Sequence, residues 1–148
     1  MPSEVGGPQV DADFLRKLGL KPGQRLGLVR APDGWAEALR QAQGGDAGAV
    51  ASWPSAAEVK SADVLLVWLE PSNDLRGVFD ALERRIPPDG AIWVVIPKKS
   101  ALQRGELAVE WKEMQAAGLV SGRLVDNKEL RFDERYYGTR FVVRKERR

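Results

Sequence analysis

DVLLVWLE, residues 63–70, is the stretch that decides the fold. Its residues from Val64 to Leu69 are all apolar, with no polar alternation. A strand with one wet face alternates apolar and polar residues, whereas a strand covered on both faces does not. AIWVVIPKKS, residues 91–100, repeats the pattern: Ala91 to Ile96 is apolar throughout, and Pro97, Lys98, Lys99 and Ser100 follow at once. Two such strands predict a mostly parallel sheet covered by helices on both faces.

The segments around them fit an α/β chain. Leu75, Val78, Phe79 and Leu82 recur at the spacing of one helix face. Ser72 is placed to cap that helix, and Pro87-Pro88-Asp89-Gly90 to stop it. Upstream, RLGLVR at 25–30 predicts the first strand. Asp33 predicts the N-cap of a helix reaching Gln41, with Trp35, Ala38, Leu39 and Ala42 on one face. Residues 47–52 predict a short second strand. Asp11 predicts the cap of an opening helix carrying Phe14, Leu15 and Leu18, which Gly19 ends before the turn Lys21-Pro22-Gly23. Downstream, Leu107, Trp111 and Met114 predict a helix ended by Gly118. Residues 120–131 and 136–145 predict two strands joined by Asp133-Glu134-Arg135. No helix separates them, so they should pair antiparallel. The expected organisation is a loose arm over 1–10, one domain over 11–145 and a basic tail over 146–148.

Composition narrows the chemistry. With 148 residues and 43% hydrophobic side chains, the chain can build one core. It has no cysteine, which excludes disulfides, thiolate metal sites and thiol nucleophiles. It has no histidine, which removes the commonest general base and the commonest transition-metal ligand. No metal is expected; one would have to be held by oxygen. The longest apolar runs fall far short of the roughly 20 residues that cross a bilayer. MPSEVGGPQV lacks a basic start and an apolar stretch, so no signal peptide is expected and the cytoplasm is the expected compartment. Net charge is +2 but unevenly spread: residues 131–148 hold 7 basic and 3 acidic side chains, leaving 16 basic and 18 acidic in the rest.

Several spaced segments carry a resemblance. LGLKPGQRLGLV resembles the lead-in to the first strand of a class I S-adenosylmethionine (SAM) methyltransferase domain. LRGVFDALERRIPPDGAIWVVIP resembles that domain's helix, proline-glycine turn and following strand. ELAVEWKEMQAAGLV resembles the next helix, and the last two strands resemble the closing hairpin. More narrowly, LGLKPGQ, DVLLVW, GAIWVVIPKKS, AAGL and YYGTRFVVRK look like a family of small bacterial domains of unknown function. The resemblance implies a Rossmann-like, methyltransferase-like open sheet of order 2-1-3-4-6-5 with strand 6 antiparallel.

It also implies where a ligand would sit: beyond the strand ends, where strand order reverses between strands 1 and 3. The candidate loops are then 31–35, with Asp33, Gly34 and Trp35, and 70–74, with Glu70 and Asn73. The first departs from a cofactor loop. VRAPDGW has one glycine, Pro32 lacks an N–H, and Asp33 would repel an anion. The acidic residue expected after strand 2 to hold ribose hydroxyls is also missing, with no carboxylate before Glu58. No cofactor is therefore expected, SAM being the alternative. Trp35 could stack on a ligand or simply pack on the sheet. The segment from Glu70 to Asn73 could line a pocket or only end a strand and cap a helix. Lys98, Lys99 and Ser100 could bind an anion, or only keep a strand end wet. Tyr136, Tyr137 and Arg140 could grip a flat or anionic ligand. The basic end from Arg144 to Arg148 could touch phosphates, but the aromatics do not interleave with its charges as in single-strand binders. The expected role is a non-catalytic binding or regulatory module. The alternatives are an atypical methyltransferase or other small-anion enzyme, and nucleic-acid binding through the basic end. A homodimer is compatible with the five tryptophans.

Overall fold

The apolar runs become the central strands of one sheet. A computed structural model of the chain describes residues 9–44, 50–69 and 74–148. Within them, α1 is Ala12–Leu18, β1 Leu26–Val29, α2 Trp35–Ala42, β2 Val50–Trp53, β3 Val64–Trp68 and α3 Leu75–Leu82. Then come β4 Ala91–Pro97, α4 Trp111–Leu119, β5 Leu124–Arg131 and β6 Tyr136–Val143. The strand order is β2-β1-β3-β4-β6-β5. The first four strands run parallel, and β6 is antiparallel to both β4 and β5.

The absence of alternation in β3 and β4 has a direct cause: both faces are covered. Val64, Leu66 and Trp68 join the core beneath α1 and α2, while Leu65, Val67 and Leu69 join the core beneath α3 and α4. On β4, Trp93 and Val95 take the first core, and Ile92, Val94 and Ile96 the second. Side chains on a strand alternate between faces, so each run feeds two cores at once. Fully burying each such side chain is worth about 1.5–3 kcal/mol.

Several local expectations hold and others need correcting. Asp11 does cap α1: its Oδ1 accepts the Phe14 N–H at 2.9 Å, and Gly19 closes the helix in the left-handed region at φ 83°. Asp33 does not cap α2. The cap is Gly34, at φ 94°, a conformation that favours glycine, and Asp33 stays exposed one residue earlier. Leu107 is outside α4 and 72% exposed, because the chain runs in irregular structure after Gly105 until Glu110 begins the helix. Gly118 does not end α4 but lies inside it. A Cβ there would stand 2.5 Å from Phe141 Cε2 and 2.9 Å from Phe79 Cζ, so the glycine serves close packing. The fifth strand begins at Leu124 after a turn, not at 120. The second strand is seen over Val50–Trp53. Ser72, the loose arm's first eight residues and the start of the second strand before Val50 lie outside the described residues. The basic end folds back on the domain: residues 145–147 form a 3-10 turn, and Arg148 Nε donates to the Val143 carbonyl at 2.9 Å. No helix among the described residues is long and apolar enough to cross a membrane.

Candidate functional site

The carboxyl ends of the parallel strands gather most of the residues that the sequence singles out. The loop after β1 turns sharply, with Arg30 at φ 59° and Gly34 at φ 94°. The turn drives Trp35 inward to 2% exposure. Its ring lies 5.4 Å from Trp68, which ends β3, 5.6 Å from Phe132, and 5.9 Å from Phe14 of α1. Phe132 also meets Phe14 edge-on at 5.2 Å, Trp68 at 5.9 Å and Trp93 at 6.0 Å. Tilted and edge-on rings at these distances make favourable pairs beyond the area that they bury. An aromatic cluster therefore fills the sheet face at the end of β1 and β3. The Trp68 Nε1–H is buried within it and finds no acceptor among the described residues.

Outside the cluster lies a groove of about 630 Å³. Gln9, Asp11 and Asp13 from the α1 end, Pro32, Asp33 and Trp35 from the β1 loop, and Leu130 to Tyr136 from the β5–β6 turn line it, with Phe14 and Lys17. Its ionisable walls are Asp11, Asp13, Asp33, Asp133 and Glu134 against Lys17, Arg131 and Arg135. That is five acidic groups against three basic ones, so the groove is not electropositive. Arg16 and Lys17 hold the Asp13 carboxyl below the usual carboxylate range, with the Lys17 hydrogen bond the largest cause. Asp133 Oδ1 accepts the Arg135 and Tyr136 N–H groups, both at 2.8 Å, and so shapes the turn.

The PKKS end and the start of the last strand come together. Pro97 pairs with Tyr136, and the Lys98 N–H donates to the Arg135 carbonyl at 2.8 Å. Lys99 pairs with Glu110 at 3.0 Å, and Ser100 lies exposed in a 3-10 turn, Lys99–Ala101. Arg135, which the sequence did not single out as a site residue, organises this edge. Its Nη1 donates to the Ala101 carbonyl at 2.9 Å, its Nη2 pairs with Glu106, and its guanidinium lies 5.4 Å above the Tyr136 ring. The signal available in sequence was only a charge in a turn, because its partners are 29 to 34 residues away.

Tyr136, Tyr137 and Arg140 do not converge on one point. Tyr136 packs on the α1 side of the sheet, beside the groove. Tyr137 packs on the α3 and α4 side, where burial, then Glu129 and Glu110, push its hydroxyl pKa up. Arg140 is further along β6, opposite Trp93 in mid-sheet. Thr139, between them, accepts the Trp111 Nε1–H at 2.9 Å and is a buried structural residue. Glu70 and Asn73 lie outside the described residues. Among the described residues, no group of three or more acidic side chains could hold a metal ion.

The fold has known counterparts. No protein-family model and no curated protein matches the chain. Solved structures do. A TehB-like SAM-dependent methyltransferase from Corynebacterium glutamicum superposes with TM-score 0.61 at 7% identity, covering 97% of this chain and 92% of that one. A SAM-dependent methyltransferase from Aquifex aeolicus gives 0.58 at 14%, covering 88% of each. The fold is methyltransferase-like. N-methyltransferase NodS from Bradyrhizobium japonicum, in complex with S-adenosyl-L-homocysteine, gives 0.54 at 15%, covering 88% of this chain and 84% of that one. Identities this low show a shared scaffold and leave each chain its own chemistry.

Proposed function

We propose that this chain is a methyltransferase-like binding or regulatory module that does not transfer methyl groups. The observation that carries this is Trp35. The residue opening the helix after β1 is buried and walled in by Trp68, Phe132 and Phe14. A nucleoside cofactor at the switch point needs open space and free backbone N–H groups there. The loop instead offers Pro32, which has no N–H, and a packed indole. The end of β2 adds no carboxylate: Trp53 is followed by Pro54 and Ser55, and Glu58 is exposed in a 3-10 turn. With no histidine or cysteine, a nucleophile and base pair here would have to come from hydroxyl, carboxylate or lysine side chains.

The enzyme alternative has one observation in its favour, the groove against the β1 loop. Its acidic walls suit a neutral or cationic ligand better than a small anion. Calorimetric titration with SAM and with S-adenosylhomocysteine, backed by thermal shift, separates the two readings. The module reading expects no heat and no shift at millimolar ligand. Micromolar binding would overturn it, and a ligand at 100 times its dissociation constant would then add about 2.7 kcal/mol of stability.

A further inference from the structure

Among the described residues, the most anomalous charge does not line that groove. Arg140 is half-buried at the middle of β6, and among the described residues its guanidinium has no hydrogen bond and no ion pair. Its Nε is fully shielded from solvent. Buried charges are normally paired, because desolvation of an unpaired ion costs several kcal/mol.

Among the described residues, several polar groups near Arg140 are cationic or already engaged. Lys128 is its direct cross-strand neighbour in the β5–β6 register, an unfavourable pairing of like charges. The nearby carbonyls at the end of α1 are taken: Lys17 O accepts Lys128 Nζ at 3.1 Å, and Leu18 O accepts Trp93 Nε1 at 2.9 Å. Arg140 Nη2 lies under Gly19, where a Cβ would come within 3.1 Å. The carboxylates of β5 do not help. Asp126 pairs in register with Phe141 and Glu129 with Thr139, both on the other face, and Asp126 accepts Gln115 from α4 at 3.1 Å. Asp13 on α1 is engaged by Arg16 and Lys17. Burial, followed by the charge of Arg148, holds the Arg140 pKa below its ordinary value.

We infer that Arg140, with Lys128, forms an oxyanion site at the α1 end of this sheet face, suited to one phosphoryl or sulfate group. Nε is the guanidinium nitrogen that is fully shielded, so the two Nη groups present the donors that grip two oxygens of such a group. The bound anion would supply the missing counter-charge to Arg140 and relieve its repulsion with Lys128. Neither Arg140 nor Lys128 lines the groove, and the site does not depend on whether the cofactor region is occupied.

The test titrates inorganic phosphate into the full chain, with chloride holding ionic strength constant. Melting temperature and the Nε–H resonances of the arginines are followed. The expected result is a saturable rise in melting temperature that chloride does not reproduce, with the Arg140 Nε–H signal shifting. Lys128→Ala, at an exposed position, should weaken phosphate about tenfold, as loss of one charge-assisted contact implies. Arg140→Met should abolish the response. A phosphomonoester binding more tightly than phosphate would assign the site to an esterified ligand; equal binding would assign it to the free ion. The inference is overturned if phosphate gives no saturable effect at tens of millimolar, or if both variants keep the wild-type response. It also fails if duplex DNA competes with a salt slope far above one, since that marks an extended phosphate-binding surface.

Discussion

At the residue scale, two tryptophans with opposite hydrogen-bonding fates make a direct comparison. Trp93 is completely buried and donates its indole N–H to Leu18 O at 2.9 Å, tying β4 to α1. Trp68, 4% exposed on the neighbouring strand, has an indole N–H without an acceptor among the described residues. Replacing either with phenylalanine removes similar volume. Only at Trp93 does it also remove a satisfied bond and leave a buried carbonyl unpaired. Trp93→Phe should therefore cost at least about 1 kcal/mol more than Trp68→Phe, whose loss of an unpaired polar group offsets part of its cavity. Urea unfolding of the two variants measures this. Equal losses would mean that the Leu18 bond adds nothing. Neither fate is legible from sequence: Trp68 ends β3 and Trp93 is the third residue of β4, but the bond is decided by the end of α1 that reaches Trp93 and not Trp68.

At the element scale, the irregular segment between β4 and α4 combines a buried apolar anchor, Val109, with a clasp of charged groups. Leu107 points outward, while Arg135 reaches from the β5–β6 turn to Ala101 O and to Glu106. The Gln103 N–H, the largest cause, and Arg135 together hold the Glu106 carboxyl below its ordinary value of 4.5. A lowered carboxyl pKa stabilises the folded segment above the ordinary value, and that support disappears as pH falls through the lowered one. Acidification from pH 6 to about 3 should loosen residues 103–106, and Glu106→Gln should do so at neutral pH. Heteronuclear NOE values for these amides report it; unchanged values in acid would remove Glu106 from that role. The sequence places α4 too early here because Leu107, Trp111 and Met114 keep helical spacing although the backbone does not. Spacing registers a pattern, and the turn at Gly105 with the Gln103–Glu106 clasp outweighs it. The same limit explains Asp33, a good capping residue that the tight turn at Gly34 leaves one position short.

At the scale of the molecule, one sheet serves two cores. The sheet was the legible part: unbroken apolar runs in β3 and β4, together with the helix-free link between β5 and β6, lead to the observed architecture. The resemblance to methyltransferase domains supplied the order. The convergence of Trp35, Trp68, Phe132 and Phe14 was not legible, since they come from α2, β3, the β5–β6 turn and α1. Shared strands should make the two cores unfold together, although their side chains do not touch across the sheet. Leu39→Ala under α2 should cost about 2–5 kcal/mol, and Ile92→Val under α3 and α4 about 0.5–1.5 kcal/mol. Sites separated by a packed sheet add to within about 0.5 kcal/mol, so the double variant should lose the sum. Circular dichroism and tryptophan fluorescence should give one coincident urea transition in every variant, as expected of a small single domain. Non-coincident transitions, or a coupling well above 1 kcal/mol, would mean that the faces fold as separate units or strain one another through β3 and β4.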